Sequence, residues 1–179
     1  MAGDARVRLF CALRLPDDVL DTLVAWQDKQ LPGGVRAVPR QNLHVTLAFL
    51  GARPVGEVEP VARELAGAAD GAGPIELRAE RFRETRSVGM VVLADAGGAA
   101  AALAADLSAR LERLGVYRPE RRAWLPHVTV ARFHERPRLQ LPAPDLGVFS
   151  PSDAAVYSSV LRPGGAQYEA LETVALGGR

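Results

Sequence analysis

The tripeptide His-Val-Thr occurs twice in this chain, as His44-Val45-Thr46 and as His127-Val128-Thr129, and each copy runs on into an aliphatic residue and an alanine. On an extended strand residues i and i+2 share a face. Each histidine therefore projects with its threonine from one side, while Val45 and Leu47, or Val128 and Val130, face the other. A single copy is compatible with a hydrogen-bonded histidine in a β-rich core. Two copies 83 residues apart, in a chain with only three histidines, point instead to a duplicated unit that brings two imidazoles to one cleft.

The flanking patterns give that unit its elements. Val7 to Leu15 alternates as a half-buried strand, and Pro16-Asp17 starts a helix whose apolar stripe runs to about Gln30. Val35 to Val38 is a short strand. Leu43 to Leu50 is the first motif strand, stopped by Gly51, and a second helix follows from Val55 until the glycines at 67–73. After Pro74 come strands around Ile75 to Ala79 and Val88 to Leu93. The clearest helix of the chain carries Ala100, Leu103, Leu107, Leu111 and Leu114 on one face and is stopped by Gly115. The second motif strand runs through Phe133, the prolines between Glu135 and Pro151 predict an irregular surface loop, and two last strands, 154–161 and 167–176, flank Pro163-Gly164-Gly165. The expected class is α+β. It has two similar lobes in one body, with antiparallel-rich sheets lining a central cleft and helices packed outside. The whole of 1–179 is read as one domain with one motif per lobe.

Composition narrows the chemistry. The 22 basic and 21 acidic residues leave a net charge of +1, so no global polycation advertises nucleic-acid binding. Lys29 is the only lysine, and arginine is the better residue for forked contacts to phosphate. The single cysteine, Cys11, excludes a disulfide framework and a thiolate metal cluster. Met1 to Arg8 has no apolar core of signal-peptide length, and no segment approaches the roughly 20 apolar residues of a membrane span. A cytoplasmic monomer with no membrane partner is the expectation.

A neutral imidazole accepts a proton near pH 7 and its conjugate acid donates one. Two of them across a cleft suit an in-line displacement at phosphorus, where the entering and leaving oxygens lie on opposite sides. Thr46 and Thr129 would donate hydroxyl hydrogens to non-bridging phosphate oxygens. Arg36 and Arg40 before the first motif, and Arg118, Arg121, Arg122 and Arg132 around the second, are candidates to neutralise the remaining charge. Strict alternation puts Arg132 on the opposite face from His127, so a bulge or a strand end is needed to bring it round. Phe10 could stack on a base if its face lines the cleft. His134 reads as an exposed bystander, and Trp26 and Trp124 as packing residues. A catalytic zinc normally has three protein ligands, and no Asp, Glu or Cys falls inside either motif, so no metal or other cofactor is expected.

The paired motifs resemble those of the two-histidine phosphoesterases, and in finer detail the bacterial and archaeal RNA 2′,3′-cyclic phosphodiesterases once called 2′-5′ RNA ligases. The similarity is carried by Arg8 to Leu13 with Leu15-Pro16, by Asn42 to Gly51, by Pro126 to Arg132, and by Tyr157-Ser158-Ser159 with Gly164 to Glu169. It implies a bilobal fold with a central cleft, no metal, and hydrolysis of RNA or nucleotide 2′,3′-cyclic phosphate ends to 2′-phosphates. It carries His44 and His127 over as the acid–base pair, Thr46 and Thr129 as phosphate binders and Arg132 as a substrate contact. It further implies that His127 activates water while His44 protonates the leaving 3′ oxygen. Two alternatives stay open: a ligase or a phosphodiesterase for another cyclic nucleotide, and a non-catalytic module that binds RNA ends.

Overall fold

In the computed structural model the described residues are 5–177. Met1 to Asp4, part of the stretch read for a leader, lie outside them, as do Gly178 and Arg179. The strands are β1 (Arg6–Arg14), β2 (Arg36–Ala37), β3 (Val45–Pro54), β4 (Leu77–Glu84), β5 (Val88–Asp95), β6 (His127–Arg132), β7 (Asp153–Arg162) and β8 (Gly165–Val174). The helices are α1 (Asp17–Gln30), α2 (Val58–Asp70) and α3 (Ala99–Leu114). No helix among the described residues is long and apolar enough to cross a membrane.

All strand pairs are antiparallel, in the order β4-β5-β6-β3-β1-β7-β8 with β2 also paired to β6. Two four-stranded groups therefore exist, β4-β5-β6-β2 and β3-β1-β7-β8. A single ladder pair, Val45 with Val128, joins them. This is the α+β, two-lobed, cleft-lining arrangement expected, with one motif strand in each group.

The groups do not coincide with the two halves of the sequence. Leu9 to Leu13 are five consecutive buried residues, so β1 is covered on both faces and flanked on both edges. β3 takes one edge, and β7 comes back from the far end of the chain to take the other. Helix α1 follows β1 but packs under the other group, where Trp26 meets Phe82 of β4 at 5.9 Å. Helices α2 and α3 pack on each other, with α2 under β7 and β8 and α3 reaching β3 and β5.

Local chemistry explains the boundaries. Asp17 and Asp18 sit in the first turn of α1 and Lys29 in its last, complementing the helix dipole. The Asp95 carboxylate accepts from the Ala100 and Ala101 amides at 3.3 and 2.8 Å and so caps α3, which Gly115 ends in the left-handed region at φ 81°. Gly51 does not stop β3. It takes φ 72°, and the strand continues to Pro54 because Arg6 to Leu9 of β1 keep pairing with it. The proline-rich segment after β6 is irregular as expected, but it is fastened. Buried Glu84 accepts from Arg136 Nε and from the Arg138 and Leu139 amides at 3.0, 3.1 and 2.5 Å, and Trp26 Nε1 donates to Pro142 O at 2.9 Å.

Candidate active site

Val45 and Val128 are the middle residues of the two motifs, and both are fully buried. The antiparallel register about this pair sets His44 opposite Thr129 and Thr46 opposite His127. All four side chains rise from the face that the valines leave. Each imidazole thus lies beside the threonine of the other copy, around a local two-fold axis. The four line an open cleft of about 490 Å³.

The two imidazoles are held alike. His44 Nδ1 lies 2.8 Å from Asn42 O, and His127 Nδ1 lies 2.8 Å from Leu125 O, each the carbonyl two residues earlier. A carbonyl only accepts, so Nδ1 carries the proton in both rings and Nε2 is left as the lone-pair nitrogen. His44 Nε2 is 2.9 Å from Thr46 Oγ1, whose hydroxyl donates to it. Trp124 Nε1 donates to Thr46 O at 3.0 Å, so the segment entering the second motif also fixes the backbone of the first.

Alternation breaks in both motif strands just after the threonine. Against β5, Met90 pairs with Thr129 but Gly89 pairs with Ala131, so Val130 is an extra, bulged residue. Val130 and Ala131 are both buried, and Arg132 then emerges on the cleft face. This is the bulge that Arg132 needed. The Val130 carbonyl is satisfied twice, by the Val38 amide at 3.0 Å and by Nε2 of Gln27 at 2.8 Å. Gln27 is itself buried in α1 and also donates to Val38 O at 3.0 Å. In β3 the same break occurs at Leu47, and Phe49 emerges where Arg132 does in the other copy. Phe49 is 49 % exposed on the cleft, with the Arg8 guanidinium 5.5 Å from its ring centroid.

Phe10 lines the cleft, as its expected part requires, from beneath His44. Its ring is stacked on His44 at 4.9 Å and on Tyr157 at 5.0 Å, with Tyr168 against its edge at 4.9 Å. It is 3 % exposed, so most of its ring is taken up by these neighbours. Phe10 forms a wall behind His44. That wall has an electrostatic effect: burial pushes the His44 imidazole down to about 4, helped by the positive fields of His127 and Arg132 and opposed by the bond to Asn42 O.

Of the arginines near the motifs, only Arg36 and Arg132 line the cleft, joined there by Arg8 and Arg162. Arg40 is held outside by Asp17 and Asp21, each at 3.1 Å, and Arg122 faces Glu120. No carboxylate lines the cleft, and none of its four arginines has a carboxylate partner among the described residues. A chain of net charge +1 thus concentrates positive charge around two imidazoles. His134 is exposed and away from the cleft, Trp26 is core, and Cys11 is fully buried with its thiol pushed up to about 12.

Known proteins share this arrangement of elements. The family described as LigT-like phosphoesterase matches residues 13–88, a span that holds the first motif and not the second. An RNA 2′,3′-cyclic phosphodiesterase of Methanocaldococcus jannaschii is 24 % identical over 178 residues, covering 93 % of this chain and 99 % of that protein. The crystal structure of TT0787 of Thermus thermophilus aligns with a TM-score of 0.81 at 29 % identity, over 96 % of this chain and 99 % of that one. Escherichia coli LigT complexed with 3′-AMP aligns at 0.80 and 23 % identity, over 97 % and 99 %, a likeness of fold. The family match over residues 13–88 and the whole-length likeness of fold make this chain similar to the LigT-like phosphoesterases.

Proposed function

We propose that this chain is a two-histidine phosphoesterase that hydrolyses the 2′,3′-cyclic phosphate at an RNA or nucleotide end to a 2′-phosphomonoester, with His127 as base and His44 as acid and the whole chain acting as one catalytic unit. The observation that carries the reading is the register at Val45 and Val128, with both histidines and both threonines lining one cleft. Relatives named as RNA 2′,3′-cyclic phosphodiesterases support the substrate class.

In this mechanism the cyclic phosphate sits between the imidazoles with its non-bridging oxygens on the Thr46 and Thr129 hydroxyls. His127 Nε2 takes a proton from a water as its oxygen bonds to phosphorus. The P–O3′ bond breaks in line, and O3′ receives the proton carried by His44 Nε2. The products are a 2′-phosphate and a free 3′-hydroxyl. His44 is neutral in the empty cleft and gains its proton as the phosphate's negative charge arrives. The lining offers two imidazoles and neither carboxylate nor thiolate, short of the donor set of a catalytic zinc.

Incubation with cytidine 2′,3′-cyclic phosphate in EDTA, followed by phosphorus NMR, tests this reading. A single 2′-phosphate resonance is expected. A 3′-phosphate, no turnover, or turnover abolished by EDTA would contradict it.

A further inference from the structure

Beside the motif cleft lies a second recess of about 130 Å³ between β2 and the β7–β8 turn, which shares Arg36, Asn42, Arg132, Gly165 and Tyr168 with the cleft wall. Arg36 and Arg132 are direct ladder partners across β2 and β6. Directly opposed side chains share a face with Cβ atoms about 5 Å apart, and like charges so placed destabilise a sheet. Neither guanidinium has a carboxylate partner among the described residues, and both side chains are exposed. Nothing inside the described fold compensates the pair.

The recess is also built around Arg36. A Cβ at Gly165 would stand 2.6 Å from Arg36 Nη2, and Gly165 holds φ 124°, a conformation that side-chain-bearing residues rarely adopt. The guanidinium thus rests against the bare backbone of the hairpin turn. Asn42 Nδ2 donates to Ala166 O at 2.9 Å and fastens that turn to the segment leading into His44. Because of the bulge at Val130, Arg132 lies two ladder steps beyond Thr129, about 7 Å further along β6. An anion held there is a neighbour of the group at the histidines, not the same group.

We propose that this recess is a second anion subsite that takes the phosphodiester on the 5′ side of the terminal nucleotide, so that the chain prefers an oligonucleotide end to a free cyclic mononucleotide. The inference rests on the cyclic phosphodiesterase reading above. Forked guanidinium donors match phosphate oxygens, and in that substrate the charged group next along the backbone is this phosphodiester.

The test compares wild type and Arg36→Ala on cytidine 2′,3′-cyclic phosphate, on its 5′-phosphorylated form and on a trinucleotide ending in the same cyclic phosphate. Wild type is expected to favour the trinucleotide over the mononucleotide at least tenfold in kcat/KM. Arg36→Ala is expected to lower that ratio about tenfold and to flatten the slope of log(kcat/KM) against log salt for the trinucleotide by about 0.7. An unchanged ratio and slope would overturn the subsite while leaving the hydrolytic reading intact. A full gain with the 5′-phosphorylated mononucleotide would overturn the oligonucleotide preference and keep the anion subsite. Should wild type turn over none of the three, fluorescence anisotropy with a labelled trinucleotide bearing a terminal 3′-phosphate decides the matter. About tenfold weaker binding by Arg36→Ala supports the subsite, and equal binding overturns it.

Discussion

Val45 and Val128 face each other at the one ladder pair that joins the two motif strands, and the pair acts as a dyad for the candidate site. Because the strands run antiparallel, the two copies of His-x-Thr are interleaved rather than stacked end to end. His44 stands beside Thr129, and His127 beside Thr46. A duplicated sequence motif thereby becomes one cluster of four side chains lining a common cleft. Its two halves then diverge at the second position after the bulged residue, where one copy presents Phe49 and the other Arg132.

The burial that lowers His44 to about 4 has a stability consequence with a definite sign. The unfolded chain protonates this histidine near 6.5 while the folded chain resists protonation, so stability is lost as pH falls between 6.5 and 4. His44→Asn removes this loss. Relative to wild type, the variant should gain up to about 2 kcal/mol between pH 7 and pH 4.5, as read by urea denaturation. An unchanged difference between the two pH values would show that His44 is not held neutral by the fold.

An anion in the cleft should reverse that depression. Binding of adenosine 2′-monophosphate at pH 6 is expected to take up more protons in wild type than in His44→Asn, as measured by calorimetry in buffers of different ionisation heat. Equal uptake would mean that His44 is not loaded with a proton by the phosphate, and the acid role assigned to it would fail.

Phe10 supports His44 through one stacked face at 4.9 Å and excludes water from it. Phe10→Leu should raise the His44 pKa from about 4 towards its ordinary value near 6.5, because less of the ring is desolvated. It should also reduce kcat several-fold and cost about 1–2 kcal/mol of stability. The imidazole Cε1–H resonance reports the titration directly. A His44 pKa left near 4 in this variant would assign the depression to some other neighbour.

Gln27 is the residue through which α1 controls the cleft. Its side-chain amide donates to the carbonyls of Val38 and Val130, and the second of these belongs to the bulge that turns Arg132 inward. Gln27→Leu leaves those buried carbonyls short of a donor, at a cost of about 1–3 kcal/mol. The expected kinetic signature is a raised KM with a smaller change in kcat. Arg132→Ala should reproduce that signature without the loss of stability. A destabilised Gln27→Leu with unaltered KM would mean that the bulge persists without its donor.

The features legible in the sequence were those carried by local periodicity. Helix α1 starts at Asp17 and ends at Gln30 as the apolar stripe indicates, α3 stops at Gly115, and the two motif strands put their valines into the core. The need for a bulge before Arg132 was also legible, since simple alternation fails there. Its cause was not. It depends on a buried glutamine 103 residues away, which no short-range pattern reveals. The place of β7 was hidden for the same reason, because a strand's second edge partner is chosen by tertiary packing. Gly51 misled because glycine marks a bulge in a strand as often as an end. The aromatic wall of Phe10, Tyr157 and Tyr168 joins residues from three strands, and only the folded sheet brings them together.

The central claim is that His44 and His127 work as one acid–base unit, and a double-mutant comparison tests it most directly. Turnover of a 2′,3′-cyclic nucleotide is measured in EDTA for His44→Ala, His127→Ala and the double variant, with folding checked by circular dichroism. Groups that act as a unit are non-additive, so each single variant should lose nearly as much activity as the double. Either single variant retaining near-wild-type turnover, or losses that simply multiply in the double, would contradict the account.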